Sequence, residues 1–130
     1  MAFLAKRALA GALLSGLCVA CASVAGPDSD LLVEPIQIDA VDVLLQESFP
    51  VQASAHVQGI VGDGCSELLP PVQVRSGNQI ALTIQRSRPR DAICTQIARL
   101  YDAVLRLDGS FPPGRYRLTV NSVVRDFTVD

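Results

Sequence analysis

The chain has 130 residues, 49% of them apolar and 18% charged, which is enough for one domain with a core and too short for two. Eleven bases stand against thirteen acids, histidine occurs once, and tryptophan is absent. No glycine loop suited to phosphate and no metal-ligand spacing occurs, and an acidic chain this poor in aromatic residues is not expected to bind nucleic acid.

Lys6 and Arg7 precede an uncharged, mainly apolar stretch from 8 to 20, the composition of a secretory signal and too short to span a bilayer. The expected boundaries are a signal segment over 1–21, a flexible tether over 22–31 and a folded domain over 32–130. Plain cleavage after Ala22 or Ala25 is one processing route. The other is lipidation, because Leu17-Cys18-Val19-Ala20-Cys21 resembles a bacterial lipoprotein box, with Cys18 where such boxes usually carry leucine. On that route Cys21 carries the lipid and the partner is a membrane. The stretch from Ala22 to Asp30 has the small, polar composition of a tether. The expected location is the exported cell envelope, with a diffusible secreted or periplasmic form as the alternative.

Without Lys6 and Arg7 the net charge is −4, and the nine remaining cations are all arginine. Eight acids and no arginine or lysine lie between Asp28 and Glu67, whereas Arg75 to Asp130 holds all nine arginines and five acids. Outward faces that attract one another on folding are the expected reason.

The body of the chain alternates with period two, the mark of strands with one buried face. Ile36, Ile38 and Ala40 alternate first; Val41, Val43 and Leu45 then take the opposite phase, which predicts a bulge near Ala40. Val51 to Val57, Val72 with Val74, and Ile80 to Ile84 follow. Residues 95–105 fit both periods, and a short helical turn over 95–99 leading into a strand from 101 is expected. Tyr116, Leu118 and Val120 alternate up to Asn121-Ser122, and Val123 to Val129 resume, a two-residue hairpin in which Ser122 is a poor fit to positive φ. About seven short strands in some 100 residues predict a small, all-β, immunoglobulin-like antiparallel β-sandwich of two sheets.

Cysteine parity after processing leaves Cys65 and Cys94 as one disulfide, which an oxidising compartment permits. The bridge closes a loop of about 30 residues, a constraint of roughly 3–4 kcal/mol on the unfolded chain. No C-x-x-C spacing marks the pair as a redox switch.

Gly64-Cys65, the run Arg88-Pro89-Arg90-Asp91-Ala92-Ile93-Cys94 and the run Pro112-Pro113-Gly114-Arg115-Tyr116-Arg117-Leu118-Thr119-Val120-Asn121 resemble a module that recurs in bacterial secreted proteins and lipoproteins. The similarity covers residues 50–130, with Ser122 where the module usually has glycine. The resemblance implies an exported β-sandwich with one disulfide and carries no catalytic residue.

No catalytic set is expected. His56 lies out of phase with the apolar residues and faces solvent, and pairing it with Ser66 would need a third, orienting group. The acids Asp28, Asp30, Asp39 and Asp42 do not form a calcium loop, and no cofactor or metal is expected. Arg86, Arg88 and Arg90 lie on a proline-stiffened stretch where three guanidinium groups could clamp an anionic envelope partner. Asp91 and neighbouring acids are the expected local counterweight, and replacing the three arginines with glutamine is expected to leave folding intact. Arg106, Arg115 and Arg117 also point away from the expected core. These features describe a non-catalytic binding or spacer module of the envelope, with a small secreted inhibitor as the alternative, its contact loop at 86–92 or 108–113.

Overall fold

A computed structural model describes residues 30–130. The signal segment, most of the tether and Cys21 lie outside the described residues. Ten strands form among the described residues rather than about seven: β1 (Leu31–Pro35), β2 (Gln37–Gln46), β3 (Gln52–Gly62), β4 (Glu67–Leu68), β5 (Val72–Ser76), β6 (Gln79–Thr83), β7 (Gln85–Pro89), β8 (Arg99–Arg106), β9 (Gly114–Val120) and β10 (Val123–Val129). The larger number arises because the chain changes sheets at single residues. Ile36 alone separates β1 from β2, which lies in another sheet, and Ile84 alone separates β6 from β7 in the same way. Both isoleucines are buried, and the Ile36 N–H donates to the Ile84 carbonyl at 3.0 Å, so the two crossings meet.

A four-stranded sheet in the order β10-β9-β6-β5 packs on a three-stranded sheet in the order β2-β3-β8, and a small sheet, β1-β7-β4, is reached through the two crossings. All ladders are antiparallel except β6 with β9, which run parallel because the chain returns through the other sheets between them. The bulge falls where the phase slip lies, with the register shifting between Ile38 and Ala40. Beside it Gly59 is required, since a Cβ there would overlap the Gln37 carbonyl oxygen.

The core lies between the two larger sheets. Val41, Ala53, Ala55 and Val57 contribute one wall, and Ile80, Leu82, Leu118 and Val120 the other. With no tryptophan available, Phe111, Tyr116 and Phe127 supply the bulk, with centroids 5.2–6.1 Å apart, and the Arg75 guanidinium lies 4.6 Å from the Phe111 centroid. Arg75 points inward because β5 turns its valines the other way: Val72 and Val74 are exposed, and Gln73 and Arg75 face the sandwich.

Side chains close both seams. Gln73 Nε2 donates to the Arg106 carbonyl at 2.7 Å while its Oε1 accepts from Asp108 N–H at 3.0 Å, which joins β5 to the end of β8. On the other side Arg125 Nε donates to the Val41 carbonyl at 3.0 Å.

The Pro-x-Gly-x-Tyr and Val-Asn motifs both acquire a purpose. Tyr116 OH donates to the Pro112 carbonyl at 2.6 Å, the tyrosine-corner arrangement of immunoglobulin-like sandwiches. Asn121 takes φ +52° and is the one non-glycine residue with positive φ among those described, so the hairpin asks nothing unusual of Ser122. The Asn121 side chain reaches both crossings. Its Oδ1 accepts from Ile84 N–H at 2.9 Å, and its Nδ2 donates to the carbonyls of Ile36 at 2.9 Å and Ile84 at 3.0 Å. The helical turn expected over 95–99 does not form. Residues 92–98 are irregular and β8 begins at Arg99, because the segment is fastened at Cys94 and Thr95 and not by helical hydrogen bonds.

Candidate functional site

The arginine run occupies the middle strand of the small sheet, so Arg86 and Arg88 project to one side beside the turn that follows β3. Cys65 and Cys94 are bridged there with 5.5 Å between their Cα atoms. Arg86 donates to Glu34 at 3.1 Å, to Ser66 Oγ at 3.1 Å and to the Val61 carbonyl at 3.2 Å. Arg88 pairs with Asp63 at 3.0 Å and lies 3.5 Å from Cys94 Sγ. Arg99 donates to the Ser66 carbonyl.

Asp63 anchors this cluster. Burial works against its charge, but hydrogen bonds from Ser66 and the Cys65 N–H, together with Arg88 and Arg86, hold its carboxyl below the ordinary value of 3.8. The counterions are therefore Glu34 and Asp63, distant in sequence, and not Asp91. This corrects two expectations. Arg86 and Arg88 spend their guanidinium groups on internal partners, with both Nε atoms buried and unpaired, and Arg90 is the one of the three left exposed. The segment from 86 to 89 is also a central strand and cannot serve as a loop. Folding should accordingly depend on Arg86 and Arg88.

The remaining sequence candidates are dispersed. Arg106 lies on β8 and Arg115 and Arg117 on β9, in two different sheets, and β7 is in the third. Arg117 is held by Asp126 at 2.8 and 3.1 Å, which raises the pKa of the guanidinium and lowers that of the carboxyl. That pair, with Arg115 and Asn78, borders an open groove of about 550 Å³. His56 lies on the outer face of its sheet, half-buried, with Nε2 2.7 Å from Asp102 Oδ1. The ionised carboxylate accepts, so Nε2 carries the proton, and the bonds from His56 and Gln58 lower the Asp102 pKa. No hydrogen bond joins His56 to Ser66, whose buried hydroxyl donates to Asp63 at 3.0 Å. Asp63, Cys65 and Cys94 bring potential metal-ligand atoms close together, but the bridged sulfurs have no thiolate to offer. Sequence reasoning missed Glu34, Asp63 and Asn121. The early acidic and late basic halves were the available signal for the first two.

The profile of the ORF11 beta-sandwich domain matches residues 55–129, from the middle of β3 through β10. The chain belongs to that domain family. Three relatives come from Herpetosiphon aurantiacus. One, an uncharacterized 10.2 kDa protein in the HgiCIIM 5' region, is 32% identical over 88 residues, covering 68% of this chain and 94% of the relative. The others, uncharacterized 10.2 kDa proteins in the HgiBIM and HgiEIM 5' regions, are each 34% identical over 76 residues, covering 58% of this chain and 93% of the relative. The alignment spans nearly the whole of each relative. No solved structure matches the chain.

Proposed function

We propose that this ORF11 sandwich is a non-catalytic module of the cell envelope, exported behind its N-terminal signal segment, cleaved before Cys21, lipidated on Cys21 and presented to an envelope partner as a binding or spacer unit. The observation that carries the reading is the Cys65–Cys94 bridge, a cross-link that forms in oxidising compartments. It is supported by the lipoprotein-like box ending at Cys21 and by the tether composition that follows. Ser66 and His56, the side chains a hydrolytic reading would need together, have separate partners, which favours binding over catalysis. Fractionation tests the reading. The natural chain should sediment with membranes, and Cys21→Ala should release it in exported, soluble, disulfide-bonded form. A chain found in the cytosol with free thiols would refute it.

A secreted inhibitor is the second reading, and the observation that favours it is the clamped loop over 108–113. Gln73 and Arg75 hold Asp108, and Tyr116 holds Pro112, while Pro112 and Pro113 stay exposed. Stoichiometric inhibition of a hydrolase, lost when this loop is replaced, would select this reading over the first.

A further inference from the structure

The segment from Ile93 to Leu100 departs from the usual surface. Ile93 is 101% exposed, Ile97 71% and Leu100 82%. Single exposed aliphatic residues are ordinary, but three this exposed within eight residues of a short domain concentrate apolar surface that calls for a partner. Mobility does not account for it, because the segment is fastened between the two isoleucines: Cys94 is bridged to Cys65, and the Thr95 carbonyl accepts from Gly64 N–H at 3.0 Å. Ile93 and Ile97 are thus held outward on either side of a fixed point.

The N-terminal tether ends at the root of this segment. The carbonyl of Asp30 accepts from Arg90 N–H at 2.9 Å, three residues before Ile93. Nine residue steps separate Cys21 from Asp30, which reach at most about 30 Å and on average roughly 15–18 Å. The same pole holds Asp63 just after β3, paired with Arg88. At the other pole, beyond the start of the 11-residue β3, lies the turn with the fully exposed Phe49. β3 alone places about 33 Å between the two poles. A chain anchored through Cys21 has its Ile93 pole nearer the point of attachment than Phe49 and within reach of the membrane.

We infer that Ile93, Ile97 and Leu100 insert into the lipid surface that carries the Cys21 acyl chains, so that the sandwich stands on its stapled loop with Phe49 pointing outward. This inference rests on the lipid-anchor reading above. Aliphatic side chains entering the acyl boundary, bracketed by Arg90 and Arg99 at headgroup level with Asp91 offsetting one charge, match an interfacial contact that adds a second attachment to the lipid. A fixed pole also sets the orientation of the module, which attachment at a single point would leave free.

The absence of tryptophan supplies the test. Ile93→Trp and Phe49→Trp each introduce the sole indole at a fully exposed site, with Ile97→Trp as a second reporter should Ile93→Trp fail to form its disulfide. The full processed protein, purified from membranes, is placed in phosphatidylethanolamine–phosphatidylglycerol vesicles with and without brominated acyl chains. The indole of Ile93→Trp should be blue-shifted and its emission reduced roughly twofold by bromine, as expected for a side chain at the acyl boundary. That of Phe49→Trp should not change. Flotation of acylated Ile93→Trp without quenching would overturn the inference and leave the anchor standing. A blue shift without quenching would mean a second copy of the chain covers the loop, and equal quenching at both poles would deny the orientation; either overturns it. A processed chain whose mass shows no acyl groups would remove the anchor-lipid reading and this inference with it.

Discussion

Replacing Asn121 with alanine should be among the most damaging single changes in the sandwich, although the side chain is polar and lies in a turn. Three hydrogen bonds go at once. The Ile84 carbonyl keeps its bond from Ile36 N–H, so the change leaves one donor, Ile84 N–H, and one acceptor, the Ile36 carbonyl, without a protein partner. The corner is part-buried, and water reaches some of it. At about 1–2 kcal/mol for each stranded group, the lower part of the usual range, the hydrogen-bond loss is about 2–4 kcal/mol. A left-handed backbone adds about 1 kcal/mol for alanine, since φ at this position is +52°. The expected loss is therefore about 3–5 kcal/mol, a large share of a small domain's stability. Asn121→Gly removes the backbone cost and keeps the hydrogen-bond loss, so it should be about 1 kcal/mol more stable than the alanine variant. Urea unfolding followed by far-ultraviolet circular dichroism, with the disulfide intact, measures both. A loss below about 1 kcal/mol for alanine, or glycine no better than alanine, would refute Asn121 as the tie between the two sheet crossings.

Replacing Cys65 and Cys94 with serine should cost about 3–4 kcal/mol in the same assay, since the bridge spans 29 positions of sequence. Arg86→Gln and Arg88→Gln should each lose about 1–2 kcal/mol, because each strands a partly covered carboxylate, while Arg90→Gln should be neutral. Urea midpoints of the three variants separate these outcomes. Acid should act through Asp63, whose folded pKa is depressed: its contribution is complete above the ordinary 3.8 and is lost as pH falls through the lower folded value. The stability gap between the natural chain and Asp63→Asn should therefore be constant near neutrality and shrink below about pH 4, which midpoints measured across that range would show.

What the sequence made legible follows the range of the forces involved. The β9–β10 hairpin, the bulge beside Ala40 and the strand at Ile80 are written in period-two alternation within ten residues, and the structure keeps all three. The disulfide followed from the cysteine count. The partner of Arg86 did not, because Glu34 lies 52 positions away and nothing local distinguishes it from other early acids. The same distance hid Asn121, whose bond to Ile36 spans 85 positions. β7 was hidden by its own composition, since an arginine-rich stretch shows little apolar alternation and Ser87 is its buried residue. β5 shows the converse case: Val72 and Val74 do alternate, yet they face outward because Gln73 and Arg75 are needed to close one seam and cover the aromatic cluster. Residues 95–99 carried a helical period that their fastening at Cys94 and Thr95 overrides.

The central claim is that this ORF11 sandwich is exported, stapled and anchored through Cys21, and the intact mass of the protein taken from its native membranes, before and after reduction, tests it most directly. The expected result is a chain beginning at Cys21, carrying acyl groups and gaining two hydrogens on reduction as the Cys65–Cys94 bridge opens. An unprocessed chain beginning at Met1, free of lipid and unchanged by reduction, would contradict the claim.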